Sequence, residues 1–90
     1  MKSFRLQIVT PSGTVFDDEV SAFSARGLEG DFAVLAGHVP FVTYVREGRC
    51  SLIDPSGNKK EASVSGGLLT VGTDGVRFLP TSFSFEGTGP

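Results

Sequence analysis

The sequence predicts an all-β protein, built as a β-sandwich or flattened barrel from nine or ten short strands. Three observations predict this class. Short segments rich in Val, Leu and eight Phe residues resemble strands, and twelve glycines and five prolines punctuate them with turns. No segment keeps a helical period, because Gly, Pro or β-branched residues interrupt each candidate. Short strands packed at this spacing form two layers or a closed barrel.

The first half of the chain alternates strands with turns. Residues 3–10 place apolar and polar side chains on opposite faces, and the turn residues 11–13 return the chain as a hairpin. The acidic triplet 17–19 lacks the spacing of a calcium loop, so we expect a solvated bend there. The strands expected in this half are 3–10, 13–16, 20–25 and 31–36.

The second half predicts two further hairpins, across residues 54–58 and 72–75, whose Gly, Pro, Asn and Asp residues favour turns. Ser65-Gly66-Gly67 interrupts a strand pattern, which indicates a bulge or a close approach of two backbones. The strands expected in this half are 41–45, 50–53, 60–64, 68–71, 76–79 and an edge strand within 81–85.

Ninety residues provide for one small domain, which we place at residues 1–85, followed by a flexible tail at 86–90. Alternation predicts which side chains fill its core. The predicted core residues are Phe4, Leu6, Ile8, Val34, Leu69 and Val71.

Composition argues against several classes. Eight basic residues against ten acidic ones give a net charge of −2, which does not favour nucleic-acid binding. Cys50 is the single cysteine, so no internal disulfide forms. No apolar run reaches the roughly 20 residues of a membrane helix, and the start of the chain lacks the apolar core of a signal peptide.

No residue set predicts catalysis, a cofactor or a metal ion. His38 is the single histidine, and we interpret it as a turn residue bonded to backbone, with contact to a partner chain as the alternative. A zinc site needs about three or four ligands. Ser65 lies before two glycines but not in a nucleophile elbow, and no phosphate-binding loop occurs.

Glu29 and Asp31 flank Gly30 in the turn that begins at Gly27. Residues two apart share one face of an extended segment, so these carboxylates would point the same way. Acid–base catalysis also needs a pocket and a perturbed pKa, of which the sequence gives no sign. We interpret the pair as surface or protein-contact groups.

Three segments resemble the N-terminal domain of the epsilon subunit of F-type ATP synthases, in the order and spacing of that family, over about residues 3–80. They are Leu6-Gln-Ile-Val-Thr-Pro11 with Val15-Phe16, then Gly30-Asp-Phe-Ala-Val-Leu-Ala-Gly-His-Val-Pro40, and Ser65-Gly66-Gly67 with Leu69 and Val71.

The resemblance implies a ten-stranded β-sandwich that is not itself an enzyme. It implies a rotor subunit in the central stalk that binds the gamma subunit and the c subunits of the membrane rotor ring, and so couples ion translocation to ATP synthesis and hydrolysis. It places the protein at the periphery of an energy-coupling membrane, most simply the cytoplasmic face of a bacterial inner membrane. It also assigns ring contact to Glu29, Asp31 and, secondarily, His38.

The chain departs from the family at residues 84–90, where two glycines and a proline predict no helix. We therefore expect the family's C-terminal helical hairpin to be absent. Whether the subunit is naturally short or shortened, inhibition through that hairpin is not carried over. Two other functions stay open on sequence: a free-standing sandwich that binds a ligand or carbohydrate in an aromatic groove, and a small hydrolase using Ser65.

Overall fold

The computed structural model describes residues 2–86, which form ten strands and no helix, so no helix there is long and apolar enough to cross a membrane. The expected flexible tail at 86–90 lies outside the described residues except for Glu86. The strands are β1 Phe4–Thr10, β2 Gly13–Val20, β3 Ala22–Gly27, β4 Gly30–Leu35, β5 Phe41–Val45, β6 Gly48–Ile53, β7 Lys59–Val64, β8 Gly67–Val71, β9 Val76–Pro80 and β10 Phe83–Phe85.

The strands form two five-stranded sheets, which confirms the predicted β-sandwich. The first sheet has the order β2-β1-β9-β8-β5, and the second has the order β10-β7-β6-β3-β4. All neighbours are antiparallel except β1 and β9, which pair in parallel with Ile8 opposite Phe78. The expected hairpins across residues 11–13, 54–58 and 72–75 are all present.

The core lies between the two sheets and contains every predicted core residue. Phe4, Leu6, Ile8, Val34, Leu69 and Val71 are all buried. The rings of Phe23 from the second sheet and Phe78 from the first meet across the interface, 5.6 Å between centroids. Burying each large apolar side chain stabilises the fold by about 1.5–3 kcal/mol, and this burial holds the two layers together.

The glycine pair at 66–67 provides a close backbone approach, as the sequence indicates. A Cβ at Gly67 would lie 2.2 Å from the carbonyl oxygen of Leu79, so no side chain fits. Gly66 has φ +101°, a conformation that favours glycine. The two glycines let β8 start directly against β9.

The acidic triplet 17–19 is not a bend, and that expectation is wrong. Residues 17–19 continue β2 and pair with β1, where Asp17 lies opposite Gln7 and accepts a hydrogen bond of 2.7 Å from Arg5 Nε. β2 is an edge strand, so its acidic side chains remain in water while its backbone pairs on one side. Charged side chains on an edge also discourage pairing with other chains.

Candidate partner-contact surface

The turn that carries Glu29 forms the tip of the β3–β4 hairpin. Gly27 pairs with Gly30, and Leu28 and Glu29 make the exposed loop between them. Gly30 has φ +133°, which only glycine adopts without strain and which lets the chain enter β4. The loop therefore projects two side chains beyond the end of the second sheet.

Asp31 is the second carboxylate of this tip, and its side chain is 82% exposed. Its Oδ1 atom lies 3.8 Å from Arg26 Nε across the hairpin, a loose and solvated ion pair. Glu29 lies in the turn and Asp31 in the strand, so strand alternation does not place them on one face. The structure brings both to the same exposed tip of the hairpin.

His38 lies in the connection between β4 and β5 and is bonded to backbone, as the first interpretation expects. Nδ1 lies 2.9 Å from the carbonyl oxygen of Leu35, and Nε2 lies 2.9 Å from that of Gly72. The edge of the ring packs against Phe4, 5.3 Å between centroids. His38 thus ties the β4–β5 connection to the β8–β9 turn, and its contact with a partner stays a prediction.

Among residues 2–86, the other reactive side chains do not assemble into a catalytic set. Ser65 Oγ bonds to Thr81 Oγ1 and accepts the backbone N–H of Ser82 at 2.9 Å, so it is occupied away from His38. Burial raises the pKa of the Cys50 thiol to about 12, which keeps it protonated and unreactive. Within residues 2–86 no three His, Cys, Asp or Glu side chains converge as metal ligands.

An open groove runs along the side of the sandwich next to the hairpin tip. It separates the edge strands β4 and β5, and its wall includes Leu28, Phe32, Phe41 and Val42. Phe32 and Phe41 pack edge to face, with ring centroids 6.3 Å apart. The two rings stand at 77° to each other, so they do not form one flat aromatic platform for a sugar.

The outer face of the first sheet carries exposed apolar side chains that the sequence reasoning did not identify. They are Val42 and Tyr44 of β5, Leu68 of β8 and Leu79 of β9. The sequence does carry a signal for this face. β8 and β9 have apolar residues on both sides of the sheet, whereas a strand with one solvent-facing side alternates apolar and polar residues. This outer face and the hairpin tip are the two candidate contact surfaces.

Comparison with known proteins gives a family match over nearly all of the chain. Residues 3–85 match the family described as ATP synthase, Delta/Epsilon chain, beta-sandwich domain. An ATP synthase epsilon chain from Caulobacter vibrioides is 38% identical over 88% of this chain and 91% of its own length. A sodium-ion-specific epsilon chain from Acetobacterium woodii is 39% identical over 78% of this chain and 53% of its own.

Solved structures agree with this match. A chain in the Euglena gracilis mitochondrial ATP synthase assembly of OSCP, F1 and c-ring superposes with a TM-score of 0.87 and 25% identity, over 92% of this chain and 53% of that one. A chain of the Tetrahymena thermophila central stalk and c-ring shares the fold, with a TM-score of 0.77 and 12% identity over 91% of this chain and 66% of that one. The present chain thus spans about half the length of the Acetobacterium and Euglena chains.

Proposed function

Because the chain belongs to the delta/epsilon family of ATP synthase β-sandwich domains, we propose that it is a rotor subunit of an F-type ATP synthase. In this role it binds the gamma subunit and the c subunits of the rotor ring, and couples ion translocation to ATP synthesis and hydrolysis. The observation that carries the proposal is the match of 92% of the chain to a chain from an assembly of F1 and c-ring.

The proposed role is structural rather than catalytic. The subunit transmits rotation between ion translocation and ATP chemistry, which other subunits carry out. It places the protein at the periphery of an energy-coupling membrane, on the cytoplasmic face in a bacterium. Contact with the membrane is then indirect, through the ring. A rigid sandwich with two separate contact surfaces suits this task, because torque passes only through elements that do not deform.

The hairpin tip is the proposed contact with the rotor ring. Glu29 and Asp31 are both exposed there, and their carboxylates offer hydrogen-bond acceptors to the polar loops of a ring. The secondary ring contact proposed for His38 is a separate one, because the β4–β5 connection follows Leu35 at the opposite end of β4 from this tip. Polar contacts of this kind set register, while affinity comes mainly from apolar anchors elsewhere, on the gamma side.

Charge reversal tests this assignment. Glu29→Lys combined with Asp31→Lys should weaken the coupling of proton or sodium pumping to ATP hydrolysis and leave folding and gamma binding intact. The matched control, Asp18→Lys with Glu19→Lys, makes the same charge change on the exposed edge strand β2 and should keep coupling. Ion pumping in vesicles, ATPase rate and a gamma pull-down are measured together.

The outcomes separate the parts of the proposal. Unchanged coupling in the Glu29 and Asp31 variant would remove these carboxylates from the mechanism. Loss of gamma binding in that variant would place the turn on the gamma side instead. A wild-type chain that binds neither gamma nor the ring would refute the proposed function itself.

A further inference from the structure

β10 is the shortest strand of the sandwich and forms one edge of the second sheet. It contains three residues, and within residues 2–86 it pairs only with β7, where Phe83 lies opposite Val64. Phe83 packs against the core, whereas Phe85 is 38% exposed. Few backbone hydrogen bonds and one core side chain hold so short a strand weakly, so other contacts must fix its position.

Hydrogen bonds from one serine fix the start of β10. Ser65 Oγ accepts the backbone N–H of Ser82 at 2.9 Å and also bonds to Thr81 Oγ1. The backbone N–H of Ser65 donates to the carbonyl oxygen of Ser82 at 3.3 Å. Because Ser65 directly follows β7, these bonds tie the connection between β9 and β10 to the end of β7.

Glu86, the residue directly after β10, fixes the other end of the strand. Its backbone N–H donates to the carbonyl oxygen of Glu61 at 2.8 Å. One carboxylate oxygen accepts a hydrogen bond of 3.0 Å from Arg49 Nη2 of β6, and the other accepts one of 2.7 Å from Ser63 Oγ of β7. A single side chain thus joins the end of β10 to the two strands that lie next to it in the sheet.

The surroundings of Glu86 favour its ionised carboxylate. Hydrogen bonds from Arg49 and then from Ser63, together with the positive charge of Arg49, lower the pKa of Glu86. The side chain of Glu86 is 30% exposed, so water screens this ion pair only in part. The other charged groups around the pair all belong to β7, and they are Lys59, Lys60 and Glu61.

We propose that β10 is a displaceable strand and that Glu86 is its latch. While the carboxylate holds Arg49 and Ser63, β10 covers the edge of β7; when this hold is lost, β10 leaves the sheet as one unit and the rest of the sandwich stays folded. The latch protects the sheet, because an uncovered β7 would present a row of unpaired backbone groups to other chains. This inference uses contacts within the chain alone and does not depend on the proposed function.

Native-state hydrogen exchange of the full chain, followed by NMR, tests the displaceable strand. The amides of Ser65 and Glu86 report on its two ends, since each bonds across the pairing of β10 with β7. In the wild type both should open with one free energy, below that of global unfolding. Different opening free energies at the two ends would show fraying rather than release as a unit. Opening of both amides only with global unfolding would also refute the proposal.

Removal of the carboxylate tests the latch. Glu86→Ala should raise the opening equilibrium at both amides by about 5-fold, as expected for a hydrogen-bonded ion pair at the surface. Glu19→Ala is the matched control, because the carboxylate of Glu19 also accepts a serine hydroxyl at 2.7 Å, from Ser3, but lies on the other sheet. It should change the two amides less than Glu86→Ala does. Equal effects of the two variants would refute the latch.

A double-mutant cycle tests whether Arg49 and Glu86 act as a pair. Arg49→Ala alone should also favour the opening of β10, and combining it with Glu86→Ala should add less than the sum of the two effects. Exchange of the two charges, Arg49→Glu with Glu86→Arg, should restore part of the protection that each single reversal removes. Strictly additive effects without recovery in the exchanged variant would refute the pair.

The pH dependence of opening tests the charge of the latch. Because the pKa of Glu86 is lowered while the latch is closed, the latch is fully present above the open-state pKa of about 4.3 and is lost as the pH falls through the closed-state value. Between about pH 6 and pH 3, β10 should therefore lose more protection in the wild type than in Glu86→Gln, after correction for intrinsic exchange rates. The other carboxylates titrate in both proteins and cancel. An equal loss in the two proteins would refute an ionised latch.

Discussion

Leu68 and Leu69 are neighbours in β8 with opposite environments, since Leu69 is fully buried and Leu68 lies on the outer face. Leu69→Ala removes a side chain from a packed core and should lower the free energy of unfolding by about 2–5 kcal/mol. Leu68→Ala leaves no buried cavity and should cost about 1 kcal/mol or less. Urea denaturation followed by circular dichroism measures both, and equal losses would contradict the inward register of β8.

His38 shows how one side chain joins two loops. His38→Ala removes the ring contacts with the carbonyls of Leu35 and Gly72 and with the Phe4 ring, and should lower the free energy of unfolding by about 1–3 kcal/mol. His38→Phe keeps a ring beside Phe4 but donates no hydrogen bond. Its loss of unfolding free energy, compared with that of His38→Ala, therefore separates packing from hydrogen bonding. Wild-type stability in both variants would contradict the structural role.

The sequence predicts these residue environments unequally. Alternation in β1 and β8 is enough to predict five of the six core residues, all but Val34 of β4, because a strand points successive side chains to opposite faces. The backbone-bonded His38 was predicted from its place in a Gly-His corner. Its contact with Gly72 could not be predicted, because the two residues are 34 positions apart and meet only once β5 pairs with β8.

At the scale of an element, the start of β8 depends on a glycine for space rather than for its dihedral angles. In Gly67→Ala the new Cβ would meet the carbonyl oxygen of Leu79 at 2.2 Å, so β8 and β9 must separate, at a cost of about 1–3 kcal/mol or more. Gly72→Ala is the matched control, since its nearest contact, Gly75 O, lies at 3.6 Å. Thermal unfolding compares them, and equal melting temperatures would contradict the close approach.

The β6–β7 turn carries a pH-dependent share of stability. Asp54 Oδ1 accepts backbone N–H groups of Asn58 and Ser56 at 2.9 Å, and these hydrogen bonds, that of Asn58 first, lower the pKa of Asp54 in the folded protein. Because the pKa of Asp54 is lower in the folded than in the unfolded protein, its ionised form stabilises the fold. This stabilisation is present above the unfolded pKa of about 3.9 and is lost as the pH falls through the folded pKa.

Asp54→Asn should therefore be less stable than the wild type at about pH 6 and should lose less stability between about pH 6 and pH 2. Urea midpoints at the two pH values measure the difference. The other carboxylates titrate in both proteins, so they cancel in the comparison. An equal loss in the two proteins would show that the turn does not prefer the ionised carboxylate.

Hairpins were the elements most readily predicted, because turn residues and flanking strands are close in sequence. The pairing of β1 with β9 was not predicted, since it joins strands about 70 residues apart and depends on how the sheets close. The bend expected at 17–19 failed for a related reason. Its acidic residues indicate exposure to solvent, and an edge strand satisfies that as well as a bend does.

At the scale of the molecule, the chain passes repeatedly between the two layers. β1 and β2 belong to the first sheet, β3 and β4 to the second, β5 to the first, β6 and β7 to the second, β8 and β9 to the first and β10 to the second. Neither sheet is a continuous piece of sequence. One layer cannot open without pulling on the connections of the other, and the torque-bearing role proposed above requires this property.

This topology predicts that both sheets unfold in one cooperative step, because their inner apolar faces pack against each other in one buried cluster. Native-state hydrogen exchange measures the prediction residue by residue. The slowest amides of β8 in the first sheet and of β6 in the second should exchange with the same opening free energy, equal to that of global unfolding. The short edge strand β10, which pairs only with β7, should open at lower cost. Opening free energies that differ between β8 and β6 by more than about 1 kcal/mol would show that the layers unfold separately, and a sandwich of that kind would yield under load before it transmitted rotation.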